Sequence, residues 1–168
     1  METIAVYWED RVKVYGITAK PGLGLGVLSF SAERLGCWSE RIAELENSLS
    51  GFELVTCQRA GTDNLEFSLV IEANGGEFLV QRMQDWLECE PSAQFTMEKT
   101  VDMIFLHGPH FQDRFGIAET AFSALAKNST PVLLSGCAGT SMYLLFAEGE
   151  GEAARRILTD TFLIPTTA

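Results

Sequence analysis

His107, His110 and Asp113 form the pattern H-x-x-H-x-x-D and include both histidines of the chain. Imidazole and carboxylate are ordinary metal ligands, so this stretch is the first candidate for a metal-dependent enzyme. A spacing of three aligns side chains on a helix face, however, and this segment reads as a strand running into a loop, where the backbone does not bring the three groups into line. A histidine that contacts a ligand or the main chain is the plainer reading. Ser135, Cys137 and Ser141 could be nucleophiles, but no histidine is close to them in sequence, so no Ser-His or Cys-His pair is specified. Glu148, Glu150 and Glu152 alternate with Gly149 and Gly151; acids there suit the positive end of a following helix rather than an acid/base dyad. Pro21-Gly22-Leu23-Gly24-Leu25-Gly26 misses the G-x-G-x-x-G spacing of a dinucleotide site, and no G-x-x-x-x-G-K-[ST] phosphate loop is present. The glycines there read as a tight loop needing positive φ, or as a loop that closes over a ligand. Cys37, Cys57, Cys89 and Cys137 are scattered singly and read as small hydrophobes. The residues thus specify no catalytic group, metal or cofactor.

The elements that must position these groups follow from periodicity. Residues 3–8 and 11–19 read as strands, 21–26 as a glycine-rich loop, and 27–35 and 39–49 as helical, with Ile42, Leu45 and Leu49 at helical spacing. Residues 52–59 and 65–73 read as a hairpin around Gly61-Thr62-Asp63-Asn64, 77–90 as an amphipathic helix, and 93–98 as a strand. From Thr100 the order starts again: a strand at 101–107, a loop at 108–113, a helix at 115–127, strands at 132–135 and 142–147, a helix at 152–162 and a short strand at 163–164. The expected fold is α+β, two ferredoxin-like βαββαβ sandwiches in tandem, with domains at 1–99 and 100–168. A chain of 168 residues, 46% hydrophobic, suffices for two small cores. Its net charge of −11 repels phosphate backbones and anionic lipid, which excludes nucleic acid and membrane surfaces as partners. Residues 1–9 hold no basic n-region, and no apolar run approaches the roughly 20 residues of a membrane span, so the expected location is cytoplasmic.

The stretch from Phe105 through Leu106-His107-Gly108-Pro109-His110-Phe111-Gln112-Asp113-Arg114-Phe115-Gly116-Ile117 to Ala118 resembles the first strand, loop and helix of the ACT domains of aspartokinases. Lysine-sensitive members show a similar Leu-His, a Phe four residues after it, and Phe-Gly-Ile at the helix start. Phe122-Ser123-Ala124-Leu125 and Val132-Leu133-Leu134-Ser135 continue the likeness into the helix and second strand. In the first half, Ile17-Thr18-Ala19-Lys20-Pro21-Gly22-Leu23 is similar to the strand-to-helix loop of ACT domains generally, and residues 36–51 exceed what a minimal unit needs. The resemblance implies a regulatory protein without a catalytic domain of its own, which binds an amino acid at a seam between two ACT-type domains. It implies a homodimer, and a separate biosynthetic enzyme as the regulated partner. The ligand-binding residues it implies are Gly108, His110, Phe111, Asp113, Phe115, Gly116, Ile117 and Thr130, with Pro21 and Gly22. The chemistry is general: a glycine-containing bend that opens a helix presents unpaired N–H groups and the positive end of the dipole to a carboxylate. Val132 stands where lysine-sensitive members carry an acid, which disfavours a cationic ligand. The alternatives are a ligand-free dimeric interaction module that pairs sheet edges, and a small metal enzyme built on His107, His110 and Asp113.

Overall fold

The structure is a computed structural model and describes residues 11–46, 48–108 and 116–164. Within them the chain runs β1 (Gly16–Ser31), α1 (Leu35–Glu46), β2 (Leu54–Ala60), β3 (Asn64–Glu72), α2 (Gly76–Leu87), β4 (Gln94–His107), α3 (Ile117–Lys127), β5 (Leu134–Ala138), β6 (Ser141–Ala147) and α4 (Gly151–Thr161). It is a mixed α/β fold with four α-helices among the described residues. Packing divides it into two units. An inserted unit takes Gly22–Val101, and a split unit joins the residues through Pro21 to those from Asp102 onward. The sequence division at 99/100 groups residues 11–21 with the first domain, whereas the contacts group them with the second.

In the inserted unit the strand order is β2-β3-β1-β4. β3 pairs antiparallel with β1 from Leu23↔Glu72 to Ser31↔Asn64, and with β2 from Leu54↔Val70 to Ala60↔Asn64. The expected hairpin is present, turning through Gly61 at φ +86°. Phe67, Leu69 and Ile71 alternate onto one sheet face, and Trp38, Ile42 and Leu45 of α1 with Leu79 and Met83 of α2 cover it. Residues 36–51, which looked like excess chain, supply most of α1 and the start of its connection to β2.

Two sequence expectations fail here for one reason. The glycine-rich loop expected at 21–26 and residues 27–31 of the helix expected at 27–35 are part of the sixteen-residue β1, and α-helix begins only at Leu35 after a 3₁₀ turn at Ala32–Arg34. Gly24 and Gly26 serve close approach instead of a turn. A Cβ on Gly24 would lie 2.5 Å from Met97 Cε, and one on Gly26 would lie 2.9 Å from the Phe95 ring and 3.2 Å from Leu79. With those two positions vacated for neighbours, Leu28 and Phe30 carry the buried alternation on to the strand end.

In the split unit the order is β1-β4-β6-β5, and β5 pairs antiparallel with β6 from Leu134↔Leu145 to Ala138↔Ser141. Ile117, Ala121 and Leu125 make the buried stripe of α3, while Ala154 and Leu158 make that of α4. Both stripes pack on Ile104, Leu106, Met142, Leu144 and Phe146. The two strands expected at 93–98 and 101–107 are one continuous β4, so Thr100 is mid-strand. Lys13 bridges in parallel to Leu163, with Val14 N–H donating to the Leu163 carbonyl at 3.0 Å and Leu163 N–H to Val12 at 2.9 Å. The strand expected at 3–8 lies outside the described residues.

Candidate functional site

The split unit has two places where chain enters a helix, and they are built differently. At the first turn of α4, the carboxylate of Asp102, only 6% exposed, accepts the N–H groups of Gly149 and Gly151, each at 3.0 Å. Asp102 is the one acid in the apolar run Val101–Leu106, and burial of a charge is tolerable because main-chain donors and the helix dipole face it. Gly151 has to be glycine: a Cβ would meet Asp102 Cβ at 2.5 Å and Oδ2 at 2.8 Å. In the same first turn, Glu152 takes two hydrogen bonds from Arg155 and one from Arg156. The Arg155 bond above all, reinforced by Arg156, holds its carboxyl down at about 2. The start of α4 is thus closed by Asp102 from β4 rather than by the glutamates of the Glu-Gly alternation. Beside it, Ile17, Thr18, Ala19 and Pro21 of β1 face Asp102, Gly149, Gly151, Glu152 and Arg155 across a groove of about 630 Å³.

The start of α3 is the other case. Gly116 precedes the helix at φ +89°, in the left-handed region open to glycine, and among the described residues no side chain caps the amides that follow. Its carbonyl accepts Thr120 N–H at 2.8 Å. Glu119 supplies one negative charge in the first turn, and Lys127 one positive charge in the last. At the end of β4, on the near side of the loop, Gly108 is buried and its N–H donates to the Thr140 carbonyl at 2.9 Å.

Between these points the structure joins residues that are far apart in sequence. His107 Nδ1 lies 2.9 Å from Ser141 Oγ, and Nε2 lies 3.5 Å from Thr18 Oγ1. The ring is half-buried and stacks on Phe105 at 6.0 Å with an 8° tilt. Ser141 therefore has a histidine partner that its sequence neighbourhood does not contain. Finding the pair requires the strand order that sets β6 beside β4, and no local signal carries that. Among the described residues no carboxylate orients this imidazole as in a catalytic triad; the partners of its two nitrogens are hydroxyls.

The expected ligand residues are distributed as follows. His110, Phe111, Asp113 and Phe115 lie outside the described residues, so of the H-x-x-H-x-x-D set only His107 is described. Gly108 and Gly116 flank the strand-to-helix junction. Ile117 offers the junction only its backbone, since its side chain is 3% exposed and belongs to the core. Thr130 is elsewhere: its N–H bonds to the Leu125 carbonyl at 3.0 Å, closing the far end of α3. Eleven helical residues put it ~16 Å from Gly116. Pro21 and Gly22 are strand residues; Pro21 lines the groove beside α4, and Gly22, at φ +72°, falls in the inserted unit. All four cysteines are free, and three of them, Cys57, Cys89 and Cys137, are exposed instead of packed as small hydrophobes. Burial nevertheless raises the Cys57 thiol pKa. No group of three metal-ligating side chains occurs among the described residues, and no described helix is long and apolar enough to cross a membrane.

No protein-family model and no curated protein matches this sequence. Its fold, by contrast, matches solved structures over nearly the whole chain. The regulatory subunit of aspartate kinase from Thermus flavus superposes with a TM-score of 0.79 at 12% identity, covering 90% of this chain and 99% of that one. The ligand-free regulatory subunit from Thermus thermophilus gives 0.76 at 12% identity, with 89% and 99% covered. E. coli aspartokinase III in complex with lysine and aspartate gives 0.59 at 14% identity, over 92% of this chain but 34% of that one. The fold is therefore that of aspartokinase regulatory subunits and C-terminal regulatory regions, which is the architecture the resemblance around His107 implied.

Proposed function

We propose that this chain is a regulatory protein of tandem ACT-type modules that binds an amino acid, acts as a homodimer in the cytoplasm, and controls an enzyme carried on a separate polypeptide. The observation that carries this reading is the shared fold. The chain superposes on the regulatory subunits of aspartate kinase from Thermus flavus and Thermus thermophilus, covering 99% of each. One of the matched structures holds lysine and aspartate, and a carboxylate is what the main-chain donors of a helix start favour. The reading puts the ligand carboxylate at the junction between Gly108 and Gly116, against the Ile117 amide, with His110, Phe111, Asp113 and Phe115 as the further ligand residues that the resemblance implies. Val132 disfavours a cationic side chain on that ligand. The protein needs no catalytic residue, metal or cofactor for this role.

The experiment is a thermal-shift screen of the twenty amino acids at millimolar concentration. A ligand at 100 times its dissociation constant stabilises the state that binds it by about 2.7 kcal/mol. One amino acid or a small related group is expected to raise the melting temperature. The same ligand should act on a Thr130→Ala variant but not on a Gly116→Val variant, with Gly22→Ala as the control for strain at a left-handed glycine elsewhere. No stabilisation by any of the twenty would refute amino-acid sensing.

A further inference from the structure

We draw no further inference here: the strongest candidate, the Arg41 guanidinium clasped between the Trp38 and Trp86 rings on the helical layer of the inserted unit, has in Arg41 Nη1 and Trp38 Nε1 two buried donors without an acceptor among the described residues, yet carries nothing because the indole faces account for the cation, both donor atoms are shut off from solvent, and nothing in the structure points to a ligand beside them.

Discussion

Replacing Asp102 tests whether the split unit depends on a buried carboxylate that fastens α4. Asp102→Ala removes an acceptor that takes two main-chain N–H groups at 3.0 Å and leaves both donors at the start of an eleven-residue helix without it. A hydrogen bond to a charged group contributes about 1.5–3 kcal/mol, and loss of an N-terminal cap costs about 1 kcal/mol. The two bonds share one oxygen and are not additive, so the expected loss is about 3 kcal/mol. Asp102→Asn keeps an oxygen of similar reach and loses the charge, which faces the positive end of the helix; its expected loss is about 1 kcal/mol. With a urea slope of about 2 kcal/mol/M, Asp102→Ala moves the midpoint down by roughly 1.5 M and Asp102→Asn by roughly 0.5 M. The measurement is urea unfolding followed by amide exchange of the α4 residues, because two units need not unfold together and a single midpoint could belong to either. Exchange should accelerate in α4 and much less in α1 and α2 of the inserted unit. If Asp102→Ala unfolds within 0.5 kcal/mol of the parent, or the two variants are equal, the carboxylate does not fasten the helix and the reasoning fails.

Gly26→Val drives a branched side chain against Phe95 and Leu79, which stand 2.9 and 3.2 Å from the Cβ position. It should destabilise the inserted unit by about 1–3 kcal/mol, seen as a lower midpoint by Trp38 and Trp86 fluorescence; an unchanged midpoint would mean that the strand bends away freely. Arg41→Met removes a cation 4.7 and 5.7 Å from two indole centroids and should cost about 1 kcal/mol with a change in fluorescence intensity, whereas Arg82→Met, at a single exposed phenyl ring, should leave the emission unchanged. Glu152 has its carboxyl lowered to about 2 from the ordinary 4.5. A depressed folded-state value gives stability that is present above pH 4.5 and lost as pH falls from 4.5 towards 2. Glu152→Gln should flatten that part of the pH-stability curve, and so should 0.5 M salt, since the ion pairs with Arg155 and Arg156 are exposed; an identical acid limb in the variant would exclude the pair as its source. Ser141→Ala removes the 2.9 Å partner of His107 Nδ1 and should cost about 1 kcal/mol, read by thermal unfolding and by a shifted His107 ring resonance.

Helices and hairpins were legible in the sequence where burial is one-sided and periodic. Ile42 and Leu45, Phe78 to Trp86, and Ile117, Ala121 and Leu125 marked α1, α2 and α3 to within a few residues because each helix buries one stripe against one sheet face. The β2-β3 hairpin was legible because its turn carries Gly61 and Asp63 between two β-rich runs. β1 was misread because its glycines answer a tertiary demand, the room needed by Met97 and Phe95, which looks the same in sequence as the demand of a loop. The grouping of residues 11–21 with the C-terminal part rests on contacts such as Val14 to Leu163 and Tyr15 to His107. A pairing across some 150 residues leaves no periodic trace. Asp102 could have been flagged as a lone acid in an apolar strand, but its partners are main-chain groups some fifty residues away.

The contrast between the two helix starts of the split unit bears most directly on what the α3 junction is for. Both follow a strand and a glycine-containing bend, and both have the same intrinsic problem, a set of amides with no partner inside the helix. At α4 the chain solves it with a permanent carboxylate, and it keeps glycine at position 151 to make the fit possible. At α3 it places a glycine in the left-handed conformation, and no described side chain caps the helix. No described acid closes the second start as Asp102 closes the first, and the proposed site takes a carboxylate from elsewhere there. That is the physical content of the proposed amino-acid site, and it makes a specific demand. A ligand that binds at α3 should slow amide exchange in the first turn of that helix and leave the first turn of α4, already closed by Asp102, unchanged. Equal protection of both turns on adding the stabilising amino acid, or protection of neither, would remove the helix start as the place where the ligand is held.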